Sequence, residues 1–355
     1  NTLLEIVHAL DDGEELDDIA GIVFRKNGKT VVTAPRAPIA DIDSLPLPAY
    51  NLFPMEKYKT HPPYGRKTPY VNMITSRGCP FHCTYCSNSV FGRKMRLQSP
   101  EKILSEMEFL IGKYHIKEIH FYDDCFTLNK KRTRTICEEI LRRKMKVIWS
   151  CTTRVDLVDE ELLKLMRKAG CWLIAYGVES GSPKILKEME KGVTVEQIEK
   201  SFKLTRKAGI RTLGYFMLGM PGETKETIQE TIDVCFKIDP DYIAWGMLRI
   251  FPGSKIYNSF KEKDLNSDET YSYSSLKGAS TNMPFGETGF FVTCEESFSE
   301  DELRQVIKGV YRKFYFRPWY MLRQLFLIRS FSELLHYCHG GFEVIEWVWS
   351  GFNKR

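Results

Sequence analysis

The chain has 355 residues, 43% of them hydrophobic and 27% charged, with a net charge of +5. That length suits one large domain with appendages or two domains, and the apolar fraction is ample for a sizeable core. The charge is too small to imply a nucleic-acid partner by itself, and no stretch reaches the roughly 18 uninterrupted apolar residues of a membrane helix; the nearest, WYMLRQLFLI at 319–328, is broken by Arg323 and Gln324.

The first residues, NTLLEIVHALDDGEELDD, read as an acidic amphipathic helix, because one apolar turn gives way to acid where a secretion signal would stay apolar. His8 on this helix reads as a surface or packing residue. IAGIVFRKNGKTVVTA then gives two β-rich stretches about the turn KNGK. Proline-rich APRAPIADIDSLPLPAYNLFP follows as a stiff extended linker. A first residue of Asn, and a unit that opens on what looks like its last helix, suggest a fragment of a longer protein.

From residue 70 to 250 strands and helices alternate. β-rich runs lie at YVNMITS (70–76), IKEIHFYDD (116–124), KVIWSCTT (146–153), CWLIAYGVE (171–179), IRTLGYFMLG (210–219) and DYIAWGMLRI (241–250). Between them Ser99-Pro100 starts a helix with Ile103, Leu104, Met107, Leu110 and Ile111 on one face. Thr194 and Gln197 fit a capping box, and Gly170 and Gly209 close two helices. Six strands alternating with helices imply a parallel sheet, either doubly wound or curled into a full or partial barrel. Polar residues follow the C-terminal end of every strand, which favours a barrel, whose rim carries its chemistry, over an open sheet with a single switch point.

Seven of the ten cysteines (Cys125, Cys137, Cys151, Cys171, Cys235, Cys294 and Cys338) lie singly in apolar patterns and read as small buried side chains in a protein of the reducing cytoplasm. Cys79, Cys83 and Cys86 instead share one loop, RGCPFHCTYCS, just after the first strand. Structural zinc wants four ligands, and His82 adjoins Cys83, so both would rarely turn inward. Haem attachment needs C-x-x-C-H. A [4Fe–4S] cluster on three thiolates keeps one iron open to a ligand's amino and carboxylate groups, and the spacing lets one loop wrap it.

The stretch RGCPFHCTYCS resembles the signature of the radical S-adenosylmethionine (SAM) superfamily. FYDDCFTLNKKR, WSCTTRVDLVDEELLKLMRKAGC, YGVESGSPKILKEMEKG and GYFMLGMPGET agree with it. Together they resemble the branch that carries a cobalamin-binding domain before the barrel. That branch includes anaerobic magnesium-protoporphyrin ester cyclases, hopanoid-modifying enzymes and C-methyltransferases. The resemblance implies a partial (β/α)6 barrel at 70–262. Residues 1–45 would be the remnant of a Rossmann-like cobalamin domain, 46–69 a linker and 263–355 a C-terminal loop and helical extension. It implies a cluster on Cys79, Cys83 and Cys86, SAM bound at the open iron, and cobalamin in the full-length parent. The corrin-contacting part would lie outside this chain.

The resemblance also assigns residues. Asp123 and Asp124 stand where the family's acceptors for the SAM amine lie; the alternative is a helix-capping pair. Arg154 would pair with the SAM carboxylate through its planar fork, or form a strand-end salt bridge. Glu179 and Ser180 would contact ribose and the methionyl group, with Gly177 and Gly181 allowing close backbone approach. Gly219, Pro221 and Gly222, in LGMPGE, would flank the adenine, or be a plain Pro-Gly turn. Tyr85 would pack over the cluster or SAM, or simply be buried.

From residue 303 nine Lys/Arg face three Glu, a local charge of +6 amid Tyr, Phe and Trp. This tail reads as a helical cover for the barrel's open side. Peripheral contact with a membrane or lipid-like substrate is the second reading, and nucleic acid the least favoured. The expected activity is radical chemistry on an unactivated carbon of a tetrapyrrole, lipid or other metabolite, by methylation or oxidative cyclisation. A low-potential donor such as flavodoxin or ferredoxin would supply the electron. A tRNA methylthiotransferase and a zinc-stabilised scaffold are the alternatives; the acidic first helix and helical tail argue against the first.

Overall fold

The computed structural model describes residues 1–58, 65–263 and 298–327. Contacts divide the chain into two compact units, Asn1–Ile42 and Asp43–Arg355. The first unit has helix α1 (Thr2–Asp12) and an antiparallel hairpin of β1 (Val23–Lys26) and β2 (Lys29–Val32). Its turn falls on Asn27 and Gly28, both in the left-handed region as a tight hairpin needs. On α1 only Ala9 is buried, and His8 is exposed as the sequence suggests.

In the second unit the chain runs through β3 (Tyr70–Met73), β4 (Ser76–Arg77), β5 (Arg96–Leu97), α2 (Pro100–Tyr114), β6 (Glu118–Phe121), α3 (Lys130–Arg142), β7 (Ile148–Arg154) and α4 (Glu160–Lys168). It continues through β8 (Cys171–Glu179), α5 (Pro183–Glu188), α6 (Val195–Lys207), β9 (Arg211–Leu218), α7 (Lys225–Ile238), β10 (Tyr242–Met247) and α8 (Lys255–Lys263). Helices α9 (Glu300–Tyr315) and α10 (Pro318–Leu327) follow. Six strands pair in parallel in the order β10-β9-β8-β7-β6-β3. The order never reverses, so there is no switch point and the sheet is not doubly wound. It is the curled wall of a partial barrel, with β3 and β10 as its two margins.

The first strand is shorter than the sequence suggests. After Met73 the chain leaves the sheet and makes a two-residue antiparallel ribbon, β4 with β5, which brackets the cysteine loop. The caps form as read: Ser99 Oγ accepts from Lys102 N, and Thr194 and Gln197 complete their box.

Strand alternation sorts the wall into two faces. Phe121, Trp149, Tyr176, Phe216 and Trp245 face the helices, with Phe121 stacked on Phe126 at 4.5 Å and Phe216 on Trp245 at 4.6 Å. Rings of this size each remove about 150–250 Å² from water, so they dominate the core's energetics. Trp172, Leu173, Ala175, Leu213, Tyr242 and Ala244 form a separate cluster. Glu118, at the start of β6, closes the end opposite the mouth. It accepts from Trp172 Nε1 (2.9 Å) and the Arg66 and Lys67 amides (2.7 and 2.6 Å), while burial pushes its carboxyl up to about 7.

The proline-rich stretch is extended only in part. Short 3-10 turns seat Tyr50 and Met55 in the core, and the Tyr50 hydroxyl donates to Glu106 at 2.5 Å. At the other end, helices α9 and α10 cover the free edge of β10. The amides of Trp245 and Ile243 donate to the Tyr311 and Tyr315 hydroxyls (3.2 and 3.1 Å), and Tyr320 donates to Asp241 O at 2.7 Å. Arg317 and Arg323 both pair with Asp239. The described tail is thus the helical cover, with Arg317 and Arg323 engaged with the barrel. No helix among the described residues is long and apolar enough to cross a membrane. Cys294, Cys338 and residues 328–355 of the basic tail lie outside the described residues.

Candidate active site at the mouth of the barrel

The loop carrying the three cysteines starts from a buried knot. Asp123, just past β6, accepts from Thr75 N (2.6 Å), Thr75 Oγ1 (2.5 Å) and Ser76 N (3.1 Å). Arg132 Nη2 donates to Thr75 O (2.9 Å) and Oγ1 (2.6 Å). Burial raises the Asp123 carboxyl, and these donors hold it back. Its oxygens are spent on the backbone that launches the loop. Neither sequence reading of Asp123 describes this, since the cap of α3 is Asn129, whose side chain accepts from Arg132 N at 3.0 Å. Asp124 is exposed, and its charge opposes ionisation of both Cys79 and Cys86, as a minor influence on each. Of the pair, only Asp124 faces the cysteines.

Gly78 turns the chain into the loop at φ +91°, where a Cβ would lie 2.6 Å from Lys94 O, so no other residue fits. The loop then crosses the mouth and is stitched to its far side. Thr84 N donates to Met189 O (2.9 Å), Ile256 N to Thr84 O (3.0 Å) and Ser87 Oγ to Pro252 O (2.9 Å). Cys83 is buried, Cys79 and Cys86 are half-buried, and His82 is exposed, so it does not join them. Cys79, Cys83 and Cys86 are free thiols.

A fourth cysteine lies beside them. Cys125 is buried, as its apolar pattern suggests, and its proximity to Cys79 is the chief influence that pulls the Cys79 thiol down to about 6. Cys86 goes the other way, to about 11, because burial and the neighbouring cysteines disfavour its charge. Cys137, Cys151, Cys171 and Cys235 are buried as expected.

Two cations back the loop. Arg154, at the end of β7, is buried. Its Nε and Nη2 bond the two carboxylate oxygens of Asp156 at 2.9 and 3.0 Å, its face lies 3.7 Å from the Phe81 ring centre, and Nη1 is 4.0 Å from Cys83 Sγ. The strand-end ion pair, one of the two readings for Arg154, forms. Lys191 is the second cation, buried, and donates to Glu179 Oε1 (2.9 Å) and the Tyr85 hydroxyl (3.2 Å). Glu179 sits at φ +67° beside a register shift in β8, a conformation that non-glycine residues hold only when their surroundings enforce it. A Cβ on Gly177 would lie 2.5 Å from Glu179 Oε1 and 3.0 Å from Lys191 Nζ, so this glycine makes room for the pair. Tyr85 is half-buried, and desolvation of its hydroxyl and the Glu179 carboxylate beside it raise that hydroxyl.

The remaining expected residues are not gathered at the cysteines by their contacts. Ser180 is buried and turned away, paired with Thr231 Oγ1 at 3.0 Å and bonded by Ser182 N at 3.1 Å. Gly219 and Met220 donate their amides to Glu223 Oε2 (2.6 and 3.3 Å), which folds the LGMPGE stretch over its own carboxylate. Pro221 is half-buried at the turn and Gly222 is exposed, its carbonyl accepting from Lys184 at 3.0 Å. Glu223 is buried, with Oε1 unpartnered, and burial pushes its carboxyl up to about 7.

Sequence reasoning missed Lys191, Asp156 and the position of Cys125 next to Cys79. All three lie inside the quoted motif stretches, but their residue types carried no signal: Lys191 sits in a run of Lys and Glu that reads as solvated.

The donor set suits an iron–sulfur cluster. It offers three thiols on one short loop, a cation against one of them and a second cation beside the neighbouring Tyr85. Among the described residues no three His, Cys, Asp or Glu side chains converge on a single metal ion. A cubane needs no such convergence, since each thiolate binds a different iron.

Comparison with known proteins places this arrangement. The profile of the radical SAM superfamily matches residues 73–235. An uncharacterised methyltransferase of Pyrococcus horikoshii is 34% identical over 92% of this chain and 67% of its own length. The anaerobic magnesium-protoporphyrin IX monomethyl ester cyclase of Rubrivivax gelatinosus is 32% identical over 74% of this chain and 47% of its own. Among solved structures, the radical SAM methyltransferase TsrM of Kitasatospora setae, with cobalamin and a [4Fe–4S] cluster bound, has the same fold. Its TM-score is 0.60 at 23% identity, over 74% of this chain and 52% of that one. The chain therefore spans two thirds of the first of these proteins and about half of the others.

Proposed function

Because this chain belongs to the radical SAM superfamily, we propose that it holds a [4Fe–4S] cluster on Cys79, Cys83 and Cys86 and uses it on SAM to generate a radical. When bound, the cluster supplies the electron that breaks a sulfonium S–C bond, giving methionine and a 5′-deoxyadenosyl radical. The observation that carries this reading is the loop itself: three free thiols pinned across the C-terminal mouth of a partial barrel.

The protein's own groups divide the remaining work. Asp124, exposed beside the cysteines, is the acceptor for the SAM amine. Glu179, held by Lys191, accepts from the ribose hydroxyls, and the charge of Lys191 offsets that of the carboxylate. The LGMPGE turn, fixed by Glu223, sets backbone groups for the adenine. Tyr85 closes the cavity over the cluster and helps to exclude water.

Superfamily members act on small molecules and need a reductant, and a flavodoxin or ferredoxin is our proposal for the donor. For the reaction we propose functionalisation of an unactivated carbon in a tetrapyrrole, lipid or other metabolite, by methylation or oxidative cyclisation. The support is the methyltransferase and cyclase names of the two relatives. Cobalamin is a proposal for the whole protein, drawn from the cofactor bound in TsrM. The described residues 1–42 do not fit a corrin: His8 and the apolar side chains Leu3, Leu4 and Leu10 lie exposed on α1, with no cradle around them.

The test is anaerobic reconstitution with iron and sulfide. The reading expects about four irons per chain, brown absorbance, and 5′-deoxyadenosine from SAM on addition of dithionite. Bound zinc with no SAM cleavage overturns it.

A further inference from the structure

Arg154 has a planar guanidinium with two edges able to grip a carboxylate and two faces. One edge is filled by Asp156, with both bonds at about hydrogen-bond optimum, 2.9 and 3.0 Å. One face lies 3.7 Å from the centre of the Phe81 ring, a stacking distance. Phe81 is part of the cysteine loop, and Arg93 Nη1 donates to its backbone carbonyl at 2.6 Å, which fixes the loop backbone at that residue. What remains of the fork is directed at sulfur: Nη1 is 4.0 Å from Cys83 Sγ, the outer limit of an N–H···S contact. Arg154 and Cys83 are both buried, so the charge acts across little water.

We propose that Arg154 is a positioning residue for the cluster and not for SAM: clamped by Asp156 and stacked on Phe81, it holds a fixed positive charge against the Cys83 sulfur and raises the potential at which the cluster takes up its electron. This rests on Cys83 being a cluster ligand. The physical reason is general. Reduction adds negative charge to a cluster, and a nearby cation or sulfur-directed donor stabilises the reduced form. Asp156 fixes where that cation sits, so the Phe81 and Cys83 ends of the loop keep one geometry.

The experiment is a redox titration followed by electron paramagnetic resonance, on the reconstituted full chain, with SAM affinity measured on the same samples. Arg154→Gln is expected to keep its iron and its SAM affinity within about twofold. Its reduced-to-oxidised ratio at a given poise should fall roughly tenfold, which is about 59 mV for one electron. Arg154→Lys keeps the charge without the fork and is expected to lie between Arg154→Gln and the wild type. If Arg154→Gln cannot hold a cluster, Arg154→Met, which also lacks the charge, decides: a lowered potential supports the proposal and a wild-type potential overturns it. Wild-type potentials in Arg154→Gln and Arg154→Lys overturn it too, as does a tenfold loss of SAM affinity in Arg154→Gln, which would return the residue to the SAM carboxylate. A wild-type chain that assembles no cluster on its three cysteines instead defeats the reading on which the proposal rests.

Discussion

Asp123 and Asp124 are adjacent in sequence and turn to opposite tasks: the first receives three hydrogen bonds from Thr75 and Ser76, and the second lies exposed beside Cys79 and Cys86. The split follows from the chain leaving β6, where successive side chains point to opposite sides. Asp123→Asn leaves three donors facing a neutral group and should destabilise the fold by about 2–3 kcal/mol. It should also lower cluster occupancy by loosening the start of the loop. Asp124→Asn should leave the denaturation midpoint within error and weaken SAM binding. Paired denaturation and equilibrium-binding measurements check both halves, and equal effects in the two variants would contradict the division.

Four cysteines crowd the mouth, yet the assignment needs only three as ligands. Alanine at Cys79, Cys83 or Cys86 is expected to abolish the iron–sulfur absorbance. Cys125→Ala is expected to retain close to full iron. Iron and sulfide analysis after reconstitution tells these apart. Loss of the cluster in Cys125→Ala would mean a different ligand set.

The Lys191–Glu179 pair predicts a binding defect without a cluster defect. Lys191→Met removes the partner that holds Glu179 in its left-handed conformation and leaves a half-buried carboxylate alone. SAM affinity is expected to fall about tenfold or more, on the order of 1.4 kcal/mol. Gly177→Ala, which crowds both charged groups, should produce the same loss by another route. Calorimetric titration of SAM into reconstituted protein measures both.

Glu223 makes stability depend on pH in the direction opposite to a surface carboxylate. Burial raises its folded value from 4.5 to about 7, so the neutral form is preferred in the folded state. Its contribution is complete below pH 4.5 and disappears as pH rises through about 7. Glu223→Gln cannot ionise. The wild type should therefore lose stability relative to this variant between pH 5.5 and 8, on the order of 2 kcal/mol. Urea unfolding of both proteins at the two pH values is the measurement, and a constant difference would show that Glu223 does not titrate there.

Much of the barrel was legible because its signals are local. Runs rich in β-branched and aromatic residues alternate with 3.6-residue periodicity, and caps such as Ser99 and Thr194 mark where helices start. The cysteine loop was legible because three thiols at fixed spacing have few uses. Glu179, Arg154 and Tyr85 do meet near it. What stayed hidden depends on which way side chains turn once the chain folds, whether the partner is two residues away or twelve. Asp156 looks like any acid after a strand until Arg154 folds onto it, and Lys191 looks solvated until α5 brings it back to β8. Ser180 and Asp123 are the converse: polar residues at the rim whose side chains turn into the packing, where Thr231 and Thr75 wait for them.

The hydroxyls of Tyr311 and Tyr315 do for β10 what a seventh strand would have done. A version of the protein ending before Ser299 would keep every motif discussed above and still carry a bare row of amides along that margin. Such a chain should pair with its neighbours and come out of solution as concentration rises, so the last helices set how much of this barrel can be handled alone.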